Sequence, residues 1–397
     1  MNTMGLTAAY MRHNWQRTGY NVLLFAIGTA LIATVMSLGS RFENSIDRNL
    51  HGIDMVVGAK GSPLQLVLST VFAADVPNGN IALEDARKLE ANPMVRAAIP
   101  MALGDNYRGY RIVGTTPAYA ANYGAQLASG RMFGKSMEAV LGSSVAADSG
   151  LHVGEKFAGS HGLSPGGELH SQFPYTVVGV MEPTGTILDR LVLTPVDSVW
   201  YVHENDLDAP NHPTAAHREV TALLVKFASP LAVIGLPRYI NKNTTMLAAS
   251  PAMQAFRLRQ LLGVGSDTLV WLGGLLMGLA GLGLLISMAE AVRQRLYDLA
   301  LMRCLGATPA RVVGLAVLEG VGIAVIGGGL GLAASVYGTA LAAGSLMNGQ
   351  LGFAPAGNGA MLAGIFGIVV ALGLVGSLLP ALRVYRLGIP QLLGSRS

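Results

Sequence analysis

Three long runs without Asp, Glu, Lys or Arg constrain this chain more than any other feature of its sequence. They cover Thr18–Ser40, Thr268–Ala289 and Gly320–Leu382. A helix that crosses a membrane needs about 20 consecutive apolar residues. The third run is long enough for two crossings, and its middle, "GSLMNGQLGFAPAGNG", is typical of a turn. The sequence therefore predicts four transmembrane helices, at 18–40, 268–290, 312–343 and 359–382, with an outer loop at 344–358.

The distribution of charge predicts the orientation of these helices. Only 13% of the residues are charged, against about 25% in an average soluble domain. The polar region 41–267 holds 18 basic and 20 acidic residues, whereas the rest of the chain holds nine basic and three acidic ones. Basic flanks of membrane helices stay in the cytoplasm. We therefore expect cytoplasmic termini and a large extracytoplasmic domain, and the net charge of +4 implies no nucleic-acid partner.

The polar region between the first two helices has the pattern of a mixed α+β domain. Strand patterns at its two ends, with helices that follow them, predict a βαβ-type α+β part that is split in sequence. These patterns lie at 53–61, 95–102 and 218–227 for strands, and at 82–93 and 231–243 for helices, the last broken at Pro237. Between them, about 104–205, short strand patterns with Gly and Pro turns predict a β-rich insert.

Two further helices are predicted beside the membrane spans. Ahead of the first span, Met4, Ala8, Met11 and Trp15 form an apolar stripe with helical spacing, which predicts an interfacial helix within 1–17 on the cytosolic side. Residues 251–265 predict a helix that leads from the outer domain into the second span.

Two stretches of the polar region look like catalytic motifs but lack residues that the chemistry needs. "SGRMFGKSM" resembles a phosphate-binding loop, yet Ser129 stands where the pattern needs the first glycine. "GLSPG" has the spacing of a nucleophile elbow, in which the residue after Ser donates its N–H to the oxyanion. Here that residue is Pro165, which has no N–H. We interpret both stretches as turns and predict that the chain is not an enzyme.

One histidine-rich stretch could bind a metal. "HENDLDAPNHPTAAHRE", which begins at His203 and also contains His212 and His217, adds four carboxylates. Histidine and carboxylate side chains are zinc ligands. The spacing matches no zinc motif, and polar stretches with prolines are usually surface loops. Two interpretations are therefore open, a solvated acidic loop and a weak divalent-metal site with zinc as the candidate cofactor.

Glu319 and two glycine pairs stand out within the membrane spans. A carboxylate at membrane depth normally faces protein or water and marks function, but Glu319 is also near enough to the inner end of its helix to reach the interface. Small residues four positions apart let helices approach closely. This pattern occurs twice, at Gly274 and Gly278 and at Gly327 and Gly331. Each pair packs either within one subunit or between two.

Three segments, taken in their order along the chain, resemble the FtsX/MacB family of ABC transporter permeases, also called type VII or mechanotransmission systems. "LASGRMFGKSMEAVLGSSVAADSGLHVGEKF", followed by "PYTVVGVMEPTG", is similar to the family's outer domain. "AVRQRLYDLALMRCLGATPARVVGLAVLEGVGIAVIGGGLG" is similar to its membrane-domain signature, and "LLPALRVYRLGIPQLL" to its tail. The resemblance covers nearly the whole chain.

The resemblance implies a place in the cell, a set of partners and a mechanism. The permease would lie in the bacterial inner membrane with its large domain in the periplasm and its tail, 383–397, in the cytosol. Two copies of this chain, or this chain and a related one, would bind two cytosolic ATPases. We expect the ATPase, which binds ATP and Mg²⁺, to be a separate polypeptide. A periplasmic adaptor or a substrate-binding lipoprotein is a further candidate partner.

ATP-driven closure inside would move the outer domains and drive export or extraction of a substrate from the periplasm or the outer leaflet. The alternative function is an FtsX-like signalling relay that activates an extracytoplasmic cell-wall hydrolase.

The resemblance also implies that the cytosolic loop 291–311 docks on the ATPase. Tyr297, Leu301 and Leu305 have the spacing of one apolar helical ridge, and Gly306 is expected to end the helix. Retention of positive charge inside would by itself explain the arginines, but the helical length and the ridge favour a docking surface. The residues expected to couple the two proteins are Arg293, Arg295, Tyr297, Asp298, Leu301, Arg303, Leu305 and Gly306.

Overall fold

The computed structural model describes residues 3–162, 169–205, 218–295, 301–304, 306–345 and 359–385. The chain divides into a membrane unit (Met1–Ser40, Leu262–Leu346 and Ala356–Ser397) and an α+β unit (Arg41–Leu261 and Met347–Pro355). Several predicted features lie outside the described residues: Tyr297, Asp298, Leu305, His212, His217, the turn after Gly162, most of the loop 344–358 and most of the tail 383–397.

The described helices, in chain order, are α1 (Thr3–His13), α2 (Trp15–Leu50), α3 (Pro63–Thr70), α4 (Leu83–Glu90), α5 (Ala118–Asn122), α6 (Ser143–Ser149), α7 (Val196–Asn205), α8 (Ala232–Asn243), α9 (Pro251–Gln294), α10 (Pro309–Ser345) and α11 (Gly359–Tyr385). The described strands are β1 (Met55–Ala59), β2 (Ile81–Ala82), β3 (Val95–Tyr107), β4 (Tyr110–Thr115), β5 (Leu127–Gly130), β6 (Glu138–Leu141), β7 (Lys156–Phe157), β8 (Ser160–His161), β9 (Tyr175–Met181), β10 (Leu191–Pro195), β11 (Glu219–Val220), β12 (Ala222–Phe227) and β13 (Met246–Ala249).

The membrane unit contains the four predicted spans, within α2, α9, α10 and α11, and each of these helices is long and apolar enough to cross a membrane. Its buried core includes Phe25, Met277, Leu284, Ile323 and Val369, with side chains from all four helices. Helix α2 continues beyond its predicted span to Leu50. Helix α9 begins at Pro251, so the helix predicted at 251–265 is continuous with the second span.

The α+β unit has a sheet in which β13, β1, β12 and β3 lie side by side. Every pairing among these four strands is antiparallel. The strands β1 and β3 are therefore parallel to each other with β12 between them, and β12 and β13 are parallel with β1 between them. Helix α4 precedes β3 and α8 joins β12 to β13, so the arrangement is a split βαβ fold of the ferredoxin-like type. This confirms the split α+β part.

The insert begins within β3, whose first half pairs with β12 and whose second half pairs with β4. From β4 the sheet continues through β10, β6, β9 and β5, with β7 on β9 and β8 on β3. The insert is rich in strands, as predicted, but it also carries α5, α6 and α7. Helix α8 is not broken at Pro237. The spacing of its buried residues Ala232, Leu236 and Ile240 keeps one face on the core, and this packing outweighs the hydrogen bond that the proline removes.

Candidate functional site

The described part of the loop between α9 and α10 has a defined end. Residues 301–304 are helical, and Gly306 follows them with φ +93°. The Gly306 amide donates to the Arg303 carbonyl at 3.1 Å, and the Ala307 amide donates to the Met302 carbonyl at 3.0 Å. This pair of bonds closes a helix at a left-handed glycine. The helical segment therefore ends at Gly306, which is where the sequence places its end.

Two of the expected docking side chains are open to solvent or to a partner. The Arg293 side chain is 79% exposed and lies 4.0 Å from the carboxylate of Glu290. Leu301 is 49% exposed, although it is aliphatic. Arg303 is half-buried. An exposed leucine beside basic residues is compatible with a docking contact.

The structure places Arg295 differently from the expectation of a docking residue. Its side chain is only 15% exposed, and Nη1 donates to Oε2 of Glu319 at 2.9 Å. The guanidinium also lies 4.0 Å from the centre of the Tyr10 ring, a cation–π distance. A buried charge without such a partner would destabilise the protein, so the pairing offsets the cost of burying Arg295. Arg295 thus joins the end of α9 to α10 and α1.

These contacts describe the surroundings of Glu319. The residue is buried and faces protein through its ion pair with Arg295. Helix α2 also contacts this end of α9, because Arg17 donates a hydrogen bond to the side-chain oxygen of Gln294 at 3.3 Å. The start of the loop between α9 and α10 is therefore held against α1, α2 and α10.

The two glycine pairs have different surroundings. A Cβ atom on Gly327 would lie 2.7 Å from Cβ of Phe25, and one on Gly331 would lie 2.7 Å from Cβ of Thr29. Gly327 and Gly331 therefore let α10 pack against α2 within the subunit. A Cβ atom on Gly274 or Gly278 would meet nothing within 4 Å in the described part of the chain.

The histidine of the predicted metal loop that the structure describes, His203, meets partners from elsewhere. Its Nε2 lies 3.6 Å from Oδ1 of Asp105. His161 Nδ1 and His170 Nε2 lie 3.7 Å and 3.6 Å from the same oxygen. The three imidazole rings approach one another edge to face, with centroids 5.4–6.0 Å apart. We call Asp105, His161, His170 and His203 the histidine cluster.

A β-bulge directs Asp105 into the cluster. The register between β3 and β4 shifts between Leu103 and Asp105, so Gly104 is the extra residue. Bulges re-aim side chains and often lie beside functional sites. A Cβ atom on Gly104 would lie 3.1 Å from Nε2 of His203, so glycine also leaves room for that ring.

Backbone contacts hold His161 and His170 on β3. In the pairing of β3 with β8, Asp105 is opposite His161. The buried Asn106 side chain donates to the Gly162 carbonyl at 3.0 Å, and the His170 amide donates to the Gly159 carbonyl at 2.9 Å. These bonds bring both histidines beside Asp105.

A buried tyrosine lies close enough to the cluster to be affected by the charge of Asp105. Tyr175 on β9 is buried, and burial first and the charge of Asp105 second raise the pKa of its phenol. Its hydroxyl therefore stays protonated. Asp105 itself is 1% exposed, whereas the His161 side chain is 61% exposed. The carboxylate of the cluster is therefore buried, whereas one of its imidazoles, that of His161, is exposed.

Sequence reasoning found His203 but missed the other members of the cluster. Asp105, His161 and His170 come from β3, from β8 and from the segment after it, far from His203 in sequence. The one local signal was a pair of histidines nine residues apart in a glycine-rich stretch. The partners predicted for His203, namely His212 and His217, lie outside the described residues.

Four apolar helices of membrane-spanning length and a split α+β domain with an insert define a class of membrane protein with a large domain between its first two spans. Residues 18–234 match the family model of the MacB-like periplasmic core domain. Residues 270–389 match that of the FtsX-like permease C-terminal domain. The first match alone covers more than half of the chain. The chain therefore belongs to the family of MacB/FtsX-like ABC transporter permeases.

Other comparisons are more distant. No curated protein is matched by the chain. The periplasmic region of MacB from Actinobacillus actinomycetemcomitans is 14% identical with a TM-score of 0.34, over 55% of this chain and 97% of that one. The extracellular domain of the noncanonic ABC-type transporter YknZ from Gram-positive bacteria is 13% identical with a TM-score of 0.32, over 49% and 99%.

Proposed function

We propose that this chain is the permease subunit of an ABC complex in which a separate cytosolic ATPase moves the α+β domain. The movement drives export or extraction of a substrate from the periplasm or the outer leaflet. In this proposal the chain lies in the bacterial inner membrane with both termini in the cytoplasm, and it pairs with a second permease copy. The family supplies the class of protein, and the contacts around the cytosolic loop support the coupling role.

The observation that carries the proposal is the way in which the start of this loop is anchored. Arg295 is tied to Glu319 on α10 and to Tyr10 on α1, while its neighbour Arg293 is exposed. An exposed residue next to one that is fixed to other membrane helices is suited to transmit force from a docked partner to those helices. Leu301 is exposed in the helical segment that ends at Gly306, and it offers an apolar contact.

The first experiment tests docking. The chain is purified from membranes that also contain its partner ATPase, and the retained ATPase and its rate of hydrolysis are measured. Leu301→Asp should remove most of the ATPase, because it places an unpaired charge in an apolar contact. Arg303→Glu should weaken docking by about 1–3 kcal/mol through loss of attraction at a desolvated contact.

Leu301→Ala is the matched control, since it shortens the side chain without adding charge. It should retain more ATPase than Leu301→Asp, and none of the three variants should change membrane insertion. The opposite result is that both charged variants retain the ATPase at wild-type levels with hydrolysis still coupled. That result would show that the loop only sets the membrane orientation and does not dock on the ATPase.

A further inference from the structure

The histidine cluster surrounds the buried carboxylate of Asp105, which lacks hydrogen-bond donors among the described residues. Neither oxygen of Asp105 accepts a hydrogen bond from any residue that the structure describes. A buried anion is costly unless positive charge or hydrogen bonds offset the lost hydration. Three imidazole nitrogens face one of its oxygens, so a cation at this point would stabilise the carboxylate.

The distances within the cluster suit metal coordination better than hydrogen bonding. The three nitrogens lie 3.6–3.7 Å from Oδ1 of Asp105, beyond the range of about 2.7–3.2 Å for an N–H···O hydrogen bond. Two ligand atoms of a tetrahedral zinc ion are about 3.3 Å apart, because each lies about 2.0–2.1 Å from the metal. The distances from Asp105 to the imidazoles are therefore only a few tenths of an ångström longer than those around a bound zinc ion.

We propose that Asp105, His161, His170 and His203 bind a Zn²⁺ ion. The ligand atoms of Asp105, His161 and His203 all lie within 4.8 Å of one another, and His170 approaches the same carboxylate from the buried side. Three imidazoles and one carboxylate are ligands that zinc prefers, whereas Mg²⁺ and Ca²⁺ prefer oxygen. This inference does not depend on the proposed coupling to an ATPase.

The supporting contacts are those of a preformed site. Gly104 leaves space for the His203 ring, and Asn106 fixes the segment that carries His161. Such surrounding groups orient metal ligands and strengthen binding. The exposed edge of His161 gives the ion a route from solvent. Bound zinc would join β3, the segment around β8 and the end of α7, which are three separate parts of the insert.

The test is a titration of the full-length chain, purified in detergent and stripped with a chelator, with Zn²⁺ in a calorimeter. The chain should bind one Zn²⁺ ion and should bind no Mg²⁺ under the same conditions. Asp105→Asn, His161→Ala and His203→Ala should each weaken binding by at least about 100-fold, and His170→Ala by about 10-fold or more. The double variant His212→Ala/His217→Ala is the control and should bind as the unmodified chain does.

Two further measurements keep the test decisive if a ligand variant folds poorly, which circular dichroism will reveal. Co²⁺ bound to the unmodified chain should give the intense visible bands of a four-coordinate site. Gly104→Ala, which crowds His203 without removing a ligand, should weaken zinc binding. Absence of Zn²⁺ binding by the unmodified chain, weak octahedral Co²⁺ bands, or loss of binding only in the His212/His217 control would overturn the proposal.

Discussion

At the scale of single residues, Glu138 directly follows "SGRMFGKSM", the stretch that resembles a phosphate-binding loop, and accepts hydrogen bonds from it. The amides of Gly134 and Lys135 donate to Oε2 of Glu138 at 2.8 and 3.1 Å. Arg131 donates to both carboxylate oxygens, at 2.9 Å from Nη1 and more closely from Nη2. The turn between β5 and β6 therefore binds a carboxylate of its own chain with the donors that a phosphate would need, which agrees with its interpretation as a structural turn.

The hydrogen bonds from Arg131, followed by those from the Gly134 amide, lower the pKa of Glu138 from 4.5 to about 2. A carboxylate with a lowered folded-state pKa stabilises the fold above its unfolded pKa. That contribution is lost as the pH falls from about 4.5 towards 2.

We expect Glu138→Gln to destabilise the full chain by about 1 kcal/mol at pH 7, a modest value because Arg131 is largely exposed. The loss should lower Tm by about 2–4 °C for a domain of this size. The difference from the unmodified chain should shrink at pH 3. Glu84→Gln, at an exposed helical position, is the control and should change stability by less than about 0.5 kcal/mol. An equal effect of the two substitutions at both pH values would contradict this account.

At the scale of the elements, the helices illustrate what could and could not be predicted. The spans were predictable because the length of an uncharged run is a local property. The helix at 251–265, now the first part of α9, was also predictable from its local sequence, but the continuation of α2 to Leu50 was not, because it depends on contacts between distant residues. Arg259 on α9 donates to Asp47 on α2 at 2.6 Å, and Ile46 is buried one residue earlier. Neither contact leaves a signal in the sequence of either helix.

The glycine pairs provide a matched test at this scale. Gly331→Leu should disrupt the packing of α10 on α2, because its side chain would overlap Thr29 and Ala26, and should lower the Tm and the yield of the chain. Gly278→Leu meets no described atom of its own chain. It should leave Tm unchanged but reduce the fraction of dimer, if the second copy packs against that face of α9.

Dimer fraction is measured by mass photometry in detergent and Tm by intrinsic fluorescence. Destabilisation of the chain by Gly278→Leu to the same extent as by Gly331→Leu would contradict the division between internal and external packing. An unchanged dimer with Gly278→Leu would move the dimer contact away from this face.

At the scale of the whole molecule, the sequence predicted the division into membrane helices and a split α+β domain better than it predicted the sites. Alternating strand patterns and apolar lengths are local, so both units could be recognised. The histidine cluster depends on a bulge at Gly104 that turns Asp105 towards His203 on α7. The sequence predicts Arg295 as a docking residue, because its pairing with Glu319 requires the packing of α10 beside the end of α9 and leaves no local signal. Both sites arise only when the chain is folded.

The central claim is that ATP-driven changes in a docked ATPase move the α+β domain. The most direct measurement is the distance between spin labels at Glu90→Cys, an exposed position on α4, in the two copies of a dimer in which Cys304 is replaced by Ser. The distance distribution is compared between nucleotide-free and ATP-trapped complexes by pulsed electron paramagnetic resonance. The account predicts a shift on ATP binding that Leu301→Asp abolishes. An identical distribution in both nucleotide states, with the ATPase still bound, would contradict it.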